Sequence, residues 1–272
     1  MVNGYAPTSL QEALTIRAAH AVIPYAGGTD LMVQGRKGVF LFLNKIDELR
    51  RVTVDDDYIR IGAGVTFTEA IAHPDVPALM KEAVSGIAAP AIRNAGTFGG
   101  NLGNASDKAD SVLIEYVSDA LIRLQSITGE RLVPTDQFIL SRGVNALHDD
   151  ELIVEVLLPR AAFDAQYSYL KVGGRNALAI SHIAFAGLYD SEGGRVSRLS
   201  AAVIADAGTV LRFRDLEQQL VGLSVDDARQ QKEIFLSAFG ERIVLGRGRV
   251  SGEYRKAVSL NLLRDFLDRF LG

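Results

Sequence analysis

The stretch RNAGTFGGNLGNASDKADS, from Arg93 to Ser111, decides how this sequence is interpreted. It contains four glycines and three asparagines, and its apolar residues form no stripe of helical or strand period. Such a stretch is predicted to be a loop that adds nothing to a hydrophobic core. A bare glycine backbone can nevertheless approach a ligand closely, and its N–H groups can converge on an anion such as a phosphate. The stretch therefore indicates either tight turns or the wall of a ligand site.

A second glycine pair, in Ala26-Gly27-Gly28-Thr29-Asp30, lies between a predicted strand and a predicted short helix. Like Thr97-Phe98-Gly99-Gly100-Asn101, it carries a threonine beside paired glycines, and each hydroxyl adds a hydrogen-bond donor. Neither segment is a G-x-G-x-x-G motif or a P-loop, because no Gly-Lys-Ser/Thr follows at the required spacing. Residue types and spacing leave two interpretations open: structural turns, and a cradle for a phosphate or a nucleotide.

The composition sets limits on the class of protein. The chain has 272 residues, 48% of them hydrophobic, which suffices for a sizeable core in one or two domains. A net charge of −4, with no run of five basic residues, argues against a nucleic-acid-binding surface. The absence of cysteine excludes disulfides, thiolate metal sites and thiol nucleophiles. The sequence shows no signal peptide and no membrane span, and we expect a cytoplasmic protein.

The order of the predicted elements indicates two architectures in succession. Capping boxes at Ser9 and Thr66 open two of the early helices, and a hairpin turns at Thr128-Gly129. A strand closes at Pro159, and an antiparallel meander of three strands begins at Tyr167. The predicted longer helices span residues 9–19, 66–73, 77–85, 213–222, 225–239 and 251–271. We therefore predict an α/β region followed by an α+β C-terminal domain.

No constellation of catalytic or metal-ligating residues emerges from the sequence. The acidic runs 55–57 and 149–151 are typical of solvated turns, and we assign no catalytic residue and no metal. Lys171 lies between apolar strand positions, so it is either a buried cation near an anionic ligand or an edge-strand lysine in solvent. The histidines, none of them at metal-ligand spacing, are His20, His73, His148 and His182.

Five segments, taken in order, resemble the FAD-binding medium subunit of the molybdenum hydroxylases, the family of bacterial xanthine dehydrogenases and aerobic carbon monoxide dehydrogenases. AGGTDLMVQGR (26–36) is similar to the first flavin loop of the family. IRNAGTFGGNLGNASDKADS (92–111) is similar to the second, T-x-G-G-N-x-x-x-A-x-x-x-x-D. The other three segments are DDELIVEVLLP (149–159), YLKVGGRNALAISHIAFAG (169–187) and SGEYRKAVSLNLL (251–263).

The resemblance implies an α/β plus α+β fold in two domains. Residues 1–163 would form an FAD-binding domain of the vanillyl-alcohol oxidase (PCMH) type, with subdomains of about 1–52 and 53–163. Residues 164–272 would form a C-terminal antiparallel-sheet-plus-helices domain of the CO dehydrogenase flavoprotein type.

The same resemblance implies a set of FAD contacts. The two glycine segments would line the diphosphate from opposite sides, with backbone N–H groups as the main donors. Asn104 and Asp110 would reach ribityl or ribose hydroxyls, Ile87 and Ile153 would flank the adenine, and Lys171 would lie near the flavin or its phosphates. The complete implied set is Tyr25, Ala26, Gly27, Gly28, Thr29, Asp30, Leu31, Ile87, Thr97, Phe98, Gly99, Gly100, Asn101, Asn104, Asp110, Ile153 and Lys171.

The resemblance also implies partner chains. A molybdenum-cofactor large subunit and a [2Fe-2S] small subunit would complete a heterotrimer, and the family expectation is a dimer of heterotrimers. The chain would accept electrons on FAD and pass them to NAD+ or another acceptor, which fits a sequence without cysteine or an acid/base constellation. Two alternatives are a stand-alone FAD-dependent oxidoreductase with a small organic substrate and a non-enzymatic scaffold subunit that has lost FAD.

Overall fold

The computed structural model describes residues 3–173, 183–205, 207–246, 248 and 250–272. Its first elements are β1 (Gly4–Tyr5), α1 (Leu10–Ala19), β2 (Ile23–Tyr25) and β3 (Phe40–Phe42). The three strands form a parallel sheet in the order β1-β3-β2. Ser9 caps α1 by accepting the Glu12 N–H, while the Glu12 carboxylate accepts the N–H of Thr8. Of the two hydrogen bonds of the predicted capping box, only the one accepted by the Ser9 side chain forms.

A five-stranded antiparallel sheet follows, with β10 at its centre in the order β4-β5-β10-β6-β7. Both faces of β10 are buried, which explains its almost continuous apolar sequence. The Thr66 capping box, the helix end at His73 and the 128–129 turn all form as predicted. In chain order the elements are β4 (Val52–Val54), β5 (Tyr58–Gly62), α2 (Phe67–Ala72), α3 (Ala78–Ser85), α4 (Pro90–Arg93), α5 (Phe98–Asn104), α6 (Asp110–Val117), β6 (Leu121–Gln125), β7 (Glu130–Pro134), α7 (Thr135–Phe138), β8 (Ile139–Ser141), β9 (Val144–Asn145) and β10 (Leu152–Pro159).

About half of the glycine-rich stretch 93–111 is helical and part of it packs in the core, so its prediction as a loop outside the core was wrong. It ends α4, forms α5 and begins α6. Thr97 caps α5, and its Oγ1 accepts the Gly100 N–H at 3.0 Å. Phe98 and Leu102 are fully buried in the core that covers the five-stranded sheet. With only seven residues, α5 is too short to show an apolar period, and its cap offsets the low helix propensity of its glycines.

The segment after the first glycine pair is also different from its prediction, because turns replace the expected short helix. Residues 29–35 form successive turns in which the Met32 N–H donates to the Gly28 carbonyl and the Gln34 N–H to the Asp30 carbonyl. Gly28 and Gly35 adopt left-handed φ values of +69° and +63°, which interrupt a right-handed helix at both ends.

The predicted three-stranded meander and three helices form in the C-terminal part, and a short strand that was not predicted, β14, extends the antiparallel sheet to the order β11-β12-β13-β14. Strand β12 is buried on both faces: Ile183 and Phe185 pack with the helices, while Ala184 and Ala186 pack against the N-terminal core. No described helix has the length and apolar character that crossing a membrane requires. His182 lies outside the described residues. The elements are β11 (Gln166–Val172), β12 (Ile183–Glu192), β13 (Arg195–Ile204), β14 (Leu211–Arg212), α8 (Arg214–Leu220), α9 (Val225–Arg242) and α10 (Gly252–Leu271).

Candidate cofactor site

A cavity of about 1360 Å³ opens where the parallel sheet, α5 and β11 meet. Pockets for drug-sized ligands hold roughly 300–1,000 Å³, so this one has room for a larger molecule such as a dinucleotide. Every residue of the implied FAD set lines it except Phe98, whose side chain packs on Phe67 in the core. The structure therefore brings together residues that lie up to 146 positions apart, from Tyr25 to Lys171 (171 − 25).

The first glycine segment forms one wall of this cavity. A Cβ at Gly27 would overlap the carbonyl oxygen of Ala95, and a Cβ at Gly28 would overlap the hydroxyl of Tyr25. The segment thus packs tightly on the chain that leads into α5. The N–H groups of residues 26–31 donate to no acceptor in the described part of the chain. Consecutive amides without acceptors at a cavity wall are suited to an anion such as a diphosphate.

The second glycine segment differs from the first, because the N–H groups of its residues 98–101 already have acceptors within the protein. The N–H of Phe98 donates to the Val65 carbonyl at 3.2 Å, and that of Gly99 to the Ala63 carbonyl at 2.8 Å. The next two amides bond within the helix cap, at Gly100 and Asn101. The glycines instead permit close packing, because a Cβ at Gly99 would lie 2.6 Å from the Cβ of Ala63.

Asn104 joins the two glycine segments. Its Nδ2 donates to Asp30 Oδ2 at 3.3 Å, and its Oδ1 accepts from Gln34 Nε2 at 2.9 Å. Both ends of the amide are therefore engaged by the turn that follows the first glycine pair. Asn104 therefore ties the two glycine segments together at the cavity.

Asp110 and Lys171 form an ion pair at the far wall. Lys171 Nζ lies 2.7 Å from Asp110 Oδ2 and donates to the Gly86 carbonyl at 2.8 Å. The Tyr169 hydroxyl reaches Asp110 Oδ1 at 3.3 Å, and burial, then the nearby carboxylate, raises the pKa of that phenol. Lys171 therefore fits neither of its two predicted environments in full. It is largely buried beside the cavity rather than in solvent, but its charge is matched by a carboxylate of the protein.

A strained segment beside Lys171 was not predicted from the sequence. Ala88 has a left-handed φ of +40°, which is costly for a residue with a Cβ. Arg93 holds it in place, because its Nη1 donates to the carbonyls of Ile87 at 2.8 Å and Ala88 at 2.9 Å. Together with the bond to Gly86, three successive carbonyls are bound by cationic side chains. The only sequence signal was an arginine three residues after Pro90, which is too common to be diagnostic.

A buried carboxyl group behind the cavity was missed as well. Glu115 is fully buried in α6, and burial raises its pKa to about 8. The nearby hydroxyls of Ser111 and Thr135 act in the opposite direction and lower that pKa, although neither carboxyl oxygen has a partner in good hydrogen-bonding geometry. A glutamate four residues after a serine in the otherwise apolar run SVLIEYV was the available signal.

Comparisons with known proteins agree with this architecture over the whole chain. The model of the FAD binding domain in molybdopterin dehydrogenase matches residues 1–161, and that of the CO dehydrogenase flavoprotein C-terminal domain matches residues 166–270. The nicotinate dehydrogenase FAD-subunit of Eubacterium barkeri is 30% identical over 297 aligned residues, covering 98% of this chain and 97% of that protein.

Two further similarities extend this result. The xanthine dehydrogenase FAD-binding subunit of Escherichia coli O157:H7 is 34% identical over 204 residues, covering 71% of this chain and 70% of that protein. A chain of the carbon monoxide dehydrogenase from Hydrogenophaga pseudoflava superimposes with a TM-score of 0.87 at 25% identity, covering 97% of this chain and 94% of that one. The chain therefore belongs to the FAD-binding flavoprotein subunits of the molybdenum hydroxylases, an oxidoreductase family, and its cofactor is FAD.

Proposed function

We propose that the cavity between the parallel sheet, α5 and β11 holds the FAD. The observation that carries this proposal is the row of N–H groups over residues 26–31 that have no acceptor in the described part of the chain. The row includes Gly27 and Gly28, where an added Cβ would collide with neighbouring atoms. A diphosphate needs such donors, and a nest of backbone amides supplies them without a charged side chain.

The other lining residues suit the rest of a dinucleotide. Ile87 and Ile153 offer apolar surface for the adenine, and Asp110 offers carboxylate oxygens for sugar hydroxyls. Lys171 is already neutralised by Asp110. We therefore propose that Lys171 orients the Asp110 carboxylate and closes the cavity wall, and that it does not supply a free charge to a phosphate.

We propose further that the chain takes electrons from a [2Fe-2S] small subunit, downstream of a molybdenum-cofactor large subunit, and passes them to NAD+ or another acceptor. When bound, FAD supplies the redox chemistry, while the protein supplies position and electrostatics. The support comes from relatives whose names describe FAD-subunits of nicotinate and xanthine dehydrogenases.

A pair of glycine variants tests the site. Gly28 and Gly35 have nearly the same left-handed φ, so alanine imposes similar backbone strain at both. Only Gly28 lines the cavity, and a Cβ at Gly35 meets no described atom within 4 Å. We expect Gly28→Ala to lose most of its flavin and Gly35→Ala to keep it, measured as FAD released per folded chain and identified by mass. Equal FAD content in the two variants would show that the first glycine segment is not the diphosphate site.

A further inference from the structure

A hydrogen-bonded connection at the cavity includes one side chain that is not among the implied FAD contacts. Gln34 Nε2 donates to Asn104 Oδ1 at 2.9 Å, and Asn104 Nδ2 donates to Asp30 Oδ2 at 3.3 Å. All three residues line the cavity. Asn104 is the last residue of α5, whereas Asp30 and Gln34 belong to the turns that follow the first glycine pair. The connection therefore joins two segments of the cavity wall through side chains.

The direction of this connection is determined at Asp30. An ionised carboxylate accepts hydrogen bonds and donates none. Asn104 must therefore turn its NH2 group to Asp30 and its carbonyl oxygen to Gln34. Gln34 must in turn present its own NH2 group, as observed. A carboxylate at both ends would leave one of them facing the Asn104 oxygen, whichever way round the amide lies.

This connection fastens the turns over residues 29–35 to α5. The Gln34 N–H donates to the Asp30 carbonyl at 2.9 Å, so the backbone closes a turn between the two residues whose side chains meet Asn104. Within the described part of the chain, these turns form no other hydrogen bond to α5. The N–H row over residues 26–31 runs directly into the same turns, so its position relative to α5 depends on this contact.

We propose that Gln34 is a positioning residue of the cofactor site, which binds Asn104 and thereby holds the first glycine segment against α5. This inference rests on the proposed location of FAD in the cavity. A bound cofactor covers the lining residues, and a covered acceptor without a donor costs more than one exposed to water. The connection therefore needs a donor at one end and an acceptor at the other when FAD is bound.

The direction of the connection can be broken and then reversed by substitution. Gln34→Glu places an acceptor at each end, and no orientation of the Asn104 amide satisfies both. Adding Asp30→Asn restores one donor and one acceptor in reverse order, because the new amide can donate to the Asn104 oxygen while the new carboxylate accepts from its nitrogen. Val33→Glu is the matched control, since it adds the same charge at the next position, which is 87% exposed and outside the cavity lining.

The assay removes FAD from the full chain and titrates it back at neutral pH, with flavin fluorescence reporting the Kd. We expect Gln34→Glu to bind FAD about tenfold more weakly and Val33→Glu to bind within about twofold of the parent chain. Asp30→Asn should recover most of this loss in the Gln34→Glu background and change the Kd much less in the parent chain. Far-UV circular dichroism and the Tm without FAD should be the same in all variants, because positions 30, 33 and 34 are exposed.

Three results would overturn the positioning role of Gln34. These are an unchanged Kd in Gln34→Glu, an equal loss in Val33→Glu, and a gain from Asp30→Asn that is the same in both backgrounds. The last two results would mean that net charge alone sets the affinity. Failure of the proposed FAD site is distinguishable, because Gly28→Ala would then keep its flavin whatever the Gln34 variants do.

Discussion

The buried carboxyl group of Glu115 makes the stability of this protein depend on pH in a specific way. In the unfolded chain the group has its ordinary pKa of 4.5, whereas burial raises its pKa to about 8 in the folded protein. Between these values the folded chain holds a proton that the unfolded chain has released. Stability is therefore highest below the unfolded pKa and is lost as the pH rises towards and through the folded pKa.

The size of the effect follows from the two pKa values. Each pH unit inside the window lowers the free energy of unfolding by up to about 1.4 kcal/mol. From about pH 5.5 to about pH 7.5, the loss sums to roughly 2–3 kcal/mol when the partial protonation at both ends is included. Because Glu115 is fully buried, solvent does not screen this term.

The assay compares the parent chain with Glu115→Gln, which does not titrate. Urea unfolding of the FAD-free chain, followed by far-UV circular dichroism, gives the free energy of unfolding of each protein at each pH. The parent value minus the variant value should fall by roughly 2–3 kcal/mol across this range. The exposed Glu233, whose pKa is lowered first by its hydrogen bond to Arg264, provides the control, and Glu233→Gln should give a flat difference. Parallel pH curves for the parent and Glu115→Gln would refute the argument.

Three other substitutions test the packing around the cavity. Gly99→Ala should lower the free energy of unfolding in urea by about 1–3 kcal/mol, because its Cβ would lie 2.6 Å from a neighbouring Cβ, whereas Gly103→Ala, with 3.8 Å of clearance, should not. Lys171→Met should cost about 3–5 kcal/mol in the same assay, because it leaves a buried carboxylate without its cation; a change below about 1 kcal/mol would contradict this. Arg93→Gln should speed amide hydrogen exchange in segment 85–90 by about tenfold, because it weakens the hydrogen bonds to the carbonyls of Ile87 and Ala88 in the strained segment. Unchanged exchange would show that other contacts hold this segment in its strained conformation.

The sequence was sufficient where a local rule applied to a long or well-capped element. The Thr66 capping box, the helix end at Gly86 and the three C-terminal helices follow from capping chemistry and apolar period alone. The meander was predictable because alternate residues of β12 face two different cores and all must be apolar or small. Such signals lie within a few residues of one another in the chain.

The glycine segments show why local rules were insufficient elsewhere. Helix α5 depends on Thr97 as its cap and on Ala63, which approaches Gly99 from a distant strand end. The resemblance predicted a set of cofactor residues, but it could not say which N–H groups were already bonded to residues 63 and 65. The partner of Lys171 was likewise invisible, because Asp110 lies 61 positions away in the chain.

The contact between Lys171 and Asp110 has a consequence for the biogenesis of the holoprotein. The first glycine segment, α5 and Asp110 are all translated before β11, the strand that contributes Lys171 to the far wall of the cavity. A nascent chain that ends before residue 171 has the proposed diphosphate donors but lacks Lys171 and its contacts with Gly86 and Asp110. With FAD in the proposed position, we expect cofactor insertion to follow the docking of the C-terminal sheet rather than to guide the folding of the N-terminal half.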